Sequence, residues 1–377
     1  MNRCGKIMAV LVLVSMCKAS PVEWPVADGG NGHFYLAVVA PDGIRWTDAN
    51  EIAKLVGGHL LTIASPNENE FVFGLIDKDI YWFQFRPFSD WRLGPWVGGY
   101  QPEGSSEPDS EWRWVTEEPF IYTNWAEGLP DNFTFGQCTE QDHLHFASEF
   151  TWQPQWNDQW DNCPDLLPHG YVVEFEPDTV PVQWSVDDGG NGHSYLPVAV
   201  PQGITWFEAY EVAASVGGYL ATVTSEPEND FVFHLVDDDR FWSDGIGPWI
   251  GGYQLPGTTE PESGWQWVSG EPFLYANWKQ DQPNDEYGWP EDCIHFYVST
   301  RPVARDRTWN DLLAMPDDYS MDIRVCGYVI EFPGPYNCTE DILGDINEDC
   351  KVDLKDLVVM ASRWLECNLL PESGCWE

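Results

Sequence analysis

The chain has 377 residues, with 18 Lys+Arg against 62 Asp+Glu, for a net charge of −44. Such an excess of negative charge argues against a nucleic-acid partner or an anionic membrane surface. Hydrophobic residues at 43% and aromatics at 15% exclude bulk disorder, and the length accommodates two or three domains.

At the start, Arg3 and Lys6 precede an apolar run from Ile7 to Met16, and Cys17-Lys18-Ala19 supplies the small residues of a cleavage site. Residues 1–19 therefore read as a secretory signal peptide, too short for a membrane span, with cleavage expected near Ala19. No later stretch approaches the ~18 uninterrupted apolar residues of a membrane helix. The product is expected to be secreted, extracellular or at the cell surface, without a membrane span. Eight cysteines remain after cleavage: Cys138, Cys163, Cys293, Cys326, Cys338, Cys350, Cys367 and Cys375. An even number in an exported chain reads as four disulfides.

The chain then repeats itself. Val22-Glu-Trp-Pro-Val-Ala-Asp-Gly-Gly-Asn-Gly-His33 returns as Val182-Gln-Trp-Ser-Val-Asp-Asp-Gly-Gly-Asn-Gly-His193, offset by 160. Gly94-Pro-Trp-Val-Gly-Gly-Tyr100 returns as Gly247-Pro-Trp-Ile-Gly-Gly-Tyr253, offset by 153, so the first copy carries seven extra residues within 83–93. The copies occupy 22–176 and 182–332. In the first, Trp46, Ala49, Ile52, Ala53 and Val56 share a helical face that ends at Gly57-Gly58. Ser65 with Glu68 predicts a capping box opening a second helix, echoed by Ser225 and Glu228. Short Trp-rich segments follow, and each copy closes on an apolar strand, Gly170–Phe175 or Gly327–Phe332. Helices followed by loops and strands predict α+β domains. Trp96, Trp112, Trp114 and Trp125 are expected in the core. His33 and His193 read as structural. His143 and His145 fall on one face of a predicted strand, without a third ligand nearby.

The order Trp-Ile-Gly-Gly, Trp-x-Trp, Asn-Trp, Gln-Pro-Asn, Glu-Asp-Cys, Trp-Asn-Asp and a closing strand resembles the C-type lectin-like domain, over nearly all of both copies. The resemblance implies a two-helix α+β fold whose long loop holds calcium, and it implies Gln282, Asn284, Glu291, Asn310 and Asp311 as ligands in the second copy. Calcium is a hard ion that takes six to eight oxygens, and a sugar with two neighbouring hydroxyls can displace its water. In this family mannose-type members carry Glu-Pro-Asn and galactose-type members Gln-Pro-Asp. Gln282-Pro283-Asn284 is a hybrid, so sugar preference stays open, and Asp285 or Glu286 is a candidate for supplying the missing acid. The first copy departs further, with Leu129 at the first ligand position and Gln141 at the position of Glu291. Asp131, Asn157 and Asp158 remain, and this copy is expected to be a scaffold without the metal site, its Trp-Asn-Asp a turn. Cys138 with Cys163 and Cys293 with Cys326 are the pairings expected on this basis.

Residues 338–377 form a third module. Asp345, Asn347, Asp349, Asp353 and Asp356 stand at loop positions 1, 3, 5, 9 and 12, and Lys351 offers a backbone carbonyl at position 7. That is the spacing of an EF-hand calcium loop. With Val352 and the short Asp356, the tail resembles a dockerin repeat, although Cys350 replaces the usual turn glycine and only one repeat is present. Its four cysteines allow three pairings.

Together these readings predict an exported, bacterial, calcium-dependent carbohydrate-binding protein and not an enzyme. Its expected partners are a glycan and, through the tail, a cohesin-like protein, with no nucleic acid. The alternative is an extracellular protein-binding scaffold with structural calcium only, in company with polysaccharide-degrading proteins.

Overall fold

The computed structural model describes residues 20–334 except 77–81, 86–91, 139, 149–152, 178, 256–257, 259–262, 286–289, 299–304 and 315–323. The expected signal peptide and the whole tail, with its calcium loop and four cysteines, lie outside the described residues.

Two domains with the same element order follow one another. The first contains β1 (Val22–Glu23), β2 (Phe34–Val39), α1 (Trp46–Leu55), β3 (His59–Leu60), α2 (Pro66–Ile76), β4 (Gln84–Phe85), β5 (Arg92–Tyr100), β6 (Arg113–Trp114), β7 (His143–Ser148), β8 (Gln155–Gln159) and β9 (Gly170–Phe175). The second contains β10 (Val182–Gln183), β11 (Ser194–Ala199), α3 (Trp206–Ser215), β12 (Tyr219–Leu220), α4 (Glu226–Val236), β13 (Ile246–Gln254), β14 (Trp265–Trp267), β15 (Cys293–Tyr297), β16 (Trp309–Leu312) and β17 (Gly327–Phe332). Strand order is β1-β2-β9-β5-β7-β8 in one sheet and β10-β11-β17-β13-β15-β16 in the other. The closing strand runs antiparallel to the entry strand and parallel to the central one, with Trp96 opposite Tyr171 and Trp249 opposite Tyr328. The extra residues of the first copy include β4, which pairs with β5 and has no counterpart among the described residues of the second domain.

The expected helices form where the apolar spacing places them. Trp46, Ala49 and Ala53 are buried on α1, and Trp206, Ala209, Val212 and Ala213 on α3. Ser65 Oγ accepts from Glu68 N at 3.2 Å. The box is not reciprocal: the Glu68 carboxylate turns inward, accepting from Ala64 N and the Tyr35 hydroxyl, each at 2.7 Å. The complete capping box lies instead at Thr205 and Glu208. Trp96, Trp114, Trp156 and their echoes Trp249, Trp267 and Trp309 are fully buried. Trp156 Nε1 donates to Asn69 Oδ1 and Trp309 Nε1 to Asn229 Oδ1, both at 2.8 Å, whereas Trp267 Nε1 is buried without a partner.

The Gly-Gly-Asn-Gly-His repeat has a common task. A Cβ on Gly30 or Gly190 would sit 2.3 Å from the carbonyl oxygen of Trp24 or Trp184, so only glycine lets the turn close. The turn presents Asn191 Nδ2 to the Tyr195 hydroxyl and to Glu228 Oε1, at 2.8 and 2.9 Å, and His193 Nδ1 to Glu331 Oε1 at 2.5 Å. Asn31, Tyr35, Glu68, His33 and Glu174 repeat the arrangement. Burial works against a charge on His193, but the Glu331 carboxylate outweighs it and raises the imidazole above its usual value.

One core runs across both domains. It holds Trp96, Tyr171, Ala49 and Ala53 together with Trp249, Tyr328, Ala209 and Ala213. The Tyr328 hydroxyl donates to Leu55 O at 3.0 Å, whereas the Tyr171 hydroxyl is buried without a hydrogen-bond partner. Leu55 ends α1, and α1 packs against its counterpart α3 across the seam.

A shared core couples the two domains. Denaturant unfolding is expected to show one transition for both, and Tyr328→Phe to lower stability by about 1 kcal/mol; two separated transitions would contradict the seam. A raised histidine favours the folded state below the unfolded pKa of about 6.5 and loses that contribution as pH rises through the folded value. The melting midpoint in chelator is therefore expected to fall above neutral pH, less steeply in His193→Asn, and an equal slope in both proteins would refute the assignment.

Candidate functional site

The long loop of the second domain meets the end of the β15–β16 ladder. Within that ladder His295 lies opposite Asn310 and Ile294 opposite Asp311. Asp311 is buried and its Oδ2 accepts from Asn284 N at 2.9 Å and Asp285 N at 3.1 Å, which ties the loop to the strand. The Gln282–Pro283 peptide bond is cis. Asp285 Oδ1 accepts from Glu291 N at 3.1 Å, so this carboxylate braces the loop, while Glu286 lies outside the described residues.

Of the five residues expected here, Glu291, Asn310 and Asp311 are buried, Gln282 is half-buried and Asn284 is exposed. Three of them carry a buried oxygen with no hydrogen-bond partner: Gln282 Oε1, Asn310 Oδ1 and Asp311 Oδ1. Leaving such an oxygen unsatisfied costs about 1–3 kcal/mol. Acceptors without donors are the donor set a hard cation takes, so these residues fit calcium. Burial raises the Asp311 carboxyl above the usual range, against the hydrogen bonds from Asp285 and Asn284.

His295 is a residue that the sequence reading did not single out. It is fully buried, and burial pushes its pKa down to about 3, keeping it neutral. Its Nε2 lies 3.3 Å from Asn310 Nδ2. A neutral acceptor there turns the Asn310 amide so that its N–H faces the core and Oδ1 is left over. The only available signal was the ladder register, which spacing alone does not supply.

The first domain reaches a similar loop by other means. Leu129–Pro130 is cis, but leucine brings no oxygen. Asp158 accepts from Asp131 N with both oxygens at 3.2 Å and from Asn132 N at 2.7 Å. Gln141 Oε1 accepts from Phe133 N at 2.6 Å, and Gln141 N donates to Asn132 Oδ1 at 2.9 Å. Among the described residues of this loop and ladder, Asn157 Oδ1 is the oxygen buried without a partner. Burial pushes the Asp158 carboxyl up to about 6. These acceptors are already occupied by the loop's own amides.

The Cys138–Cys163 disulfide is formed, with Cα atoms 5.7 Å apart. The expected Cys293–Cys326 bond is not. Cys293 lies opposite Tyr253 on one side of β13, whereas Cys326 precedes Tyr328, which lies opposite Trp249 on the other side. That register separates them by about six residues along the sheet, roughly 20 Å at about 3.3 Å per residue. A disulfide needs Cα atoms within about 7 Å.

Comparison with known proteins points to a single family. The sequence profile of the Lectin C-type domain matches residues 202–320, inside the second domain. The perlucin-like protein of Mytilus galloprovincialis is 30% identical over 134 residues, 35% of this chain and 71% of the relative. The chain belongs to the C-type lectin family. The C-type lectin lectoxin-Lio1 of Erythrolamprus poecilogyrus is 29% identical over 159 residues, covering 42% of this chain and 83% of the relative. Among solved structures, the mouse scavenger receptor C-type lectin carbohydrate-recognition domain is 22% identical, covering 40% of this chain and 94% of that one, with a TM-score of 0.29. C-type lectins are binding proteins without enzymatic activity, and no catalytic residue is assigned to this one.

Burial raises the Cys326 thiol, which keeps it unreactive in the folded chain. Thiol titration is expected to find two more groups in denatured, unreduced protein than in the Cys293→Ser/Cys326→Ser variant, and none of them before denaturation. Equal titres for the two denatured proteins would mean that the cysteines are bonded after all.

Proposed function

We propose that this is a secreted, calcium-dependent carbohydrate-binding protein that takes its sugar through the second domain. The observation that carries this reading is the set of three buried, unpartnered oxygens on Gln282, Asn310 and Asp311. Gln282, Asn284, Glu291, Asn310 and Asp311 would hold the ion. Bound calcium supplies a centre of positive charge on which neighbouring sugar hydroxyls replace water. The amide N–H groups of Gln282 and Asn284 then donate to those hydroxyls, while Glu291 and Asp311 accept from them. Asp285 keeps Glu291 in place, and His295 keeps the Asn310 oxygen turned outward.

The first domain, 22–176, serves as a lectin-like scaffold whose loop is closed by its own hydrogen bonds. The second lectin-like domain is placed at 182–332 from the repeat, and the tail module at 338–377 from its calcium-loop spacing. The tail is proposed to bind calcium through Asp345, Asn347, Asp349, Lys351, Asp353 and Asp356, and to anchor the protein to a cohesin-like partner.

Because the two domains share a core, the test uses the full chain. Calorimetric titration with calcium is expected to show one binding event fewer in Asp311→Ala than in the unaltered protein, while Asp158→Ala shows no loss. A glycan array is expected to lose its signals in Asp311→Ala and in chelator. Equal calcium stoichiometry in the unaltered protein and Asp311→Ala would refute the site; glycan binding that survives chelation would refute the calcium-dependent mode.

A further inference from the structure

In the first domain a second cluster of ligating groups lies away from the long loop, where the end of β9 meets β3 and the Gly-Asn-Gly-His turn. His33 Nδ1 is 2.6 Å from Glu174 Oε1, and its Nε2 is 3.2 Å from Glu176 Oε2. His59 Nδ1 is 3.0 Å from Leu60 O, and its Nε2 is 3.6 Å from Glu176 Oε1. Each ring therefore donates from Nδ1 to a carboxylate or a backbone carbonyl. In the neutral rings both Nε2 lone pairs face the same carboxylate; Glu174 and Glu176 favour a proton on His33, whereas His59 Nε2 is buried with no hydrogen-bond partner. Lone pairs facing lone pairs repel unless protons or a cation lie between them.

We propose that His33 Nε2, His59 Nε2 and the Glu176 carboxylate bind a divalent transition-metal ion of the zinc type, with water completing the shell. Two imidazoles and a carboxylate suit a borderline ion rather than calcium. In a tetrahedral site with bonds of about 2.0–2.1 Å, neighbouring ligand atoms stand about 3.3 Å apart, and the two observed N···O separations bracket that value. The Nδ1 contacts are those that fix a metal-binding tautomer from outside the ligand shell. Among the described residues no three such groups are already gathered tightly enough to hold an ion. Glu176 must swing inward, and its side chain, 49% exposed, has room to do so.

The second domain acts as an internal control. It keeps the inner pair, His193 with Glu331, but has Tyr219 where His59 stands and Pro333 where Glu176 stands. There the Tyr219 hydroxyl donates to Glu331 Oε1 at 3.1 Å. The fold thus needs only the inner pair, and the outer histidine and glutamate are additions to it.

The test is calorimetric titration of the full chain with zinc in calcium-saturated buffer, beside His59→Tyr, which imitates the second domain, and Glu176→Gln, an exposed and nearly isosteric change. The unaltered chain is expected to bind one zinc ion more than either variant. Its melting midpoint is expected to rise with zinc by the mass-action amount, and that increment is expected to vanish in both variants. Equal zinc stoichiometry and equal midpoint shifts in the unaltered chain and Glu176→Gln would overturn the proposal and leave protons as the only charge between these groups. Should His59→Tyr fail to fold, Glu176→Gln alone still decides the question.

Discussion

A carboxylate buried near the end of a closing strand must receive hydrogen bonds from several directions. Glu174 and Glu331 are each 1% exposed, and their donors come from separate parts of the chain. His33 and His193 reach them from the entry turn, and the backbone amides of Thr62 and Thr222 from the segment after β3 and β12. Glu68 and Glu228, at the start of α2 and α4, are drawn in through Tyr35, Tyr195, Asn31 and Asn191. Removing any one donor would leave a buried charge short of partners, so entry strand, capped helix and closing strand are held as a unit. This is the physical reason the Gly-Gly-Asn-Gly-His turn is unchanged between the copies while the long loops have diverged.

The long loops obey a weaker rule. In both domains the aspartate of Trp-Asn-Asp accepts from two successive loop amides. That alone positions the backbone: Trp156-Asn157-Asp158 lies on β8 and Trp309-Asn310-Asp311 on β16, so the motif is a strand in both copies and not the turn expected for the first. The difference lies in the remaining oxygens. Gln141 spends its amide oxygen on Phe133 N, whereas Gln282, Asn310 and Asp311 keep oxygens in reserve.

The sequence makes the periodic features legible. The α1 face, the buried Trp96, Trp112 and Trp114, the closing strands and the Cys138–Cys163 pair appear where spacing or resemblance places them, while Trp125 is half-buried at the edge of the core. It is less informative where side chains have more than one partner within reach. Glu68 has the spacing of a capping residue, yet Tyr35 and Ala64 compete for its carboxylate, and a buried donor outweighs an exposed one. Cys293 and Cys326 look equivalent to Cys138 and Cys163 by count alone. Their separation becomes visible only when β13 is known to lie between β15 and β17. His295 carries no motif at all, and its link to Asn310 is a consequence of register.

The seam bears on how two copies of one fold could hold the different chemistry proposed for them. The shared core is built from α1, α3, the strands beside them and the tyrosines of the closing strands, and it takes no residue from 124–142 or 277–292. Changes in those loops therefore leave the joint intact, as do changes at His59 and Glu176, which lie outside the shared core. A duplicated fold under that condition can keep hard oxygen donors in one copy and collect imidazole nitrogens in the other. Hard and borderline ions choose between such donor sets by ligand type, so neither copy needs to exclude the other's ion by shape. The strong negative charge of the chain favours cations at both places without distinguishing between them, which leaves the choice to the ligands themselves.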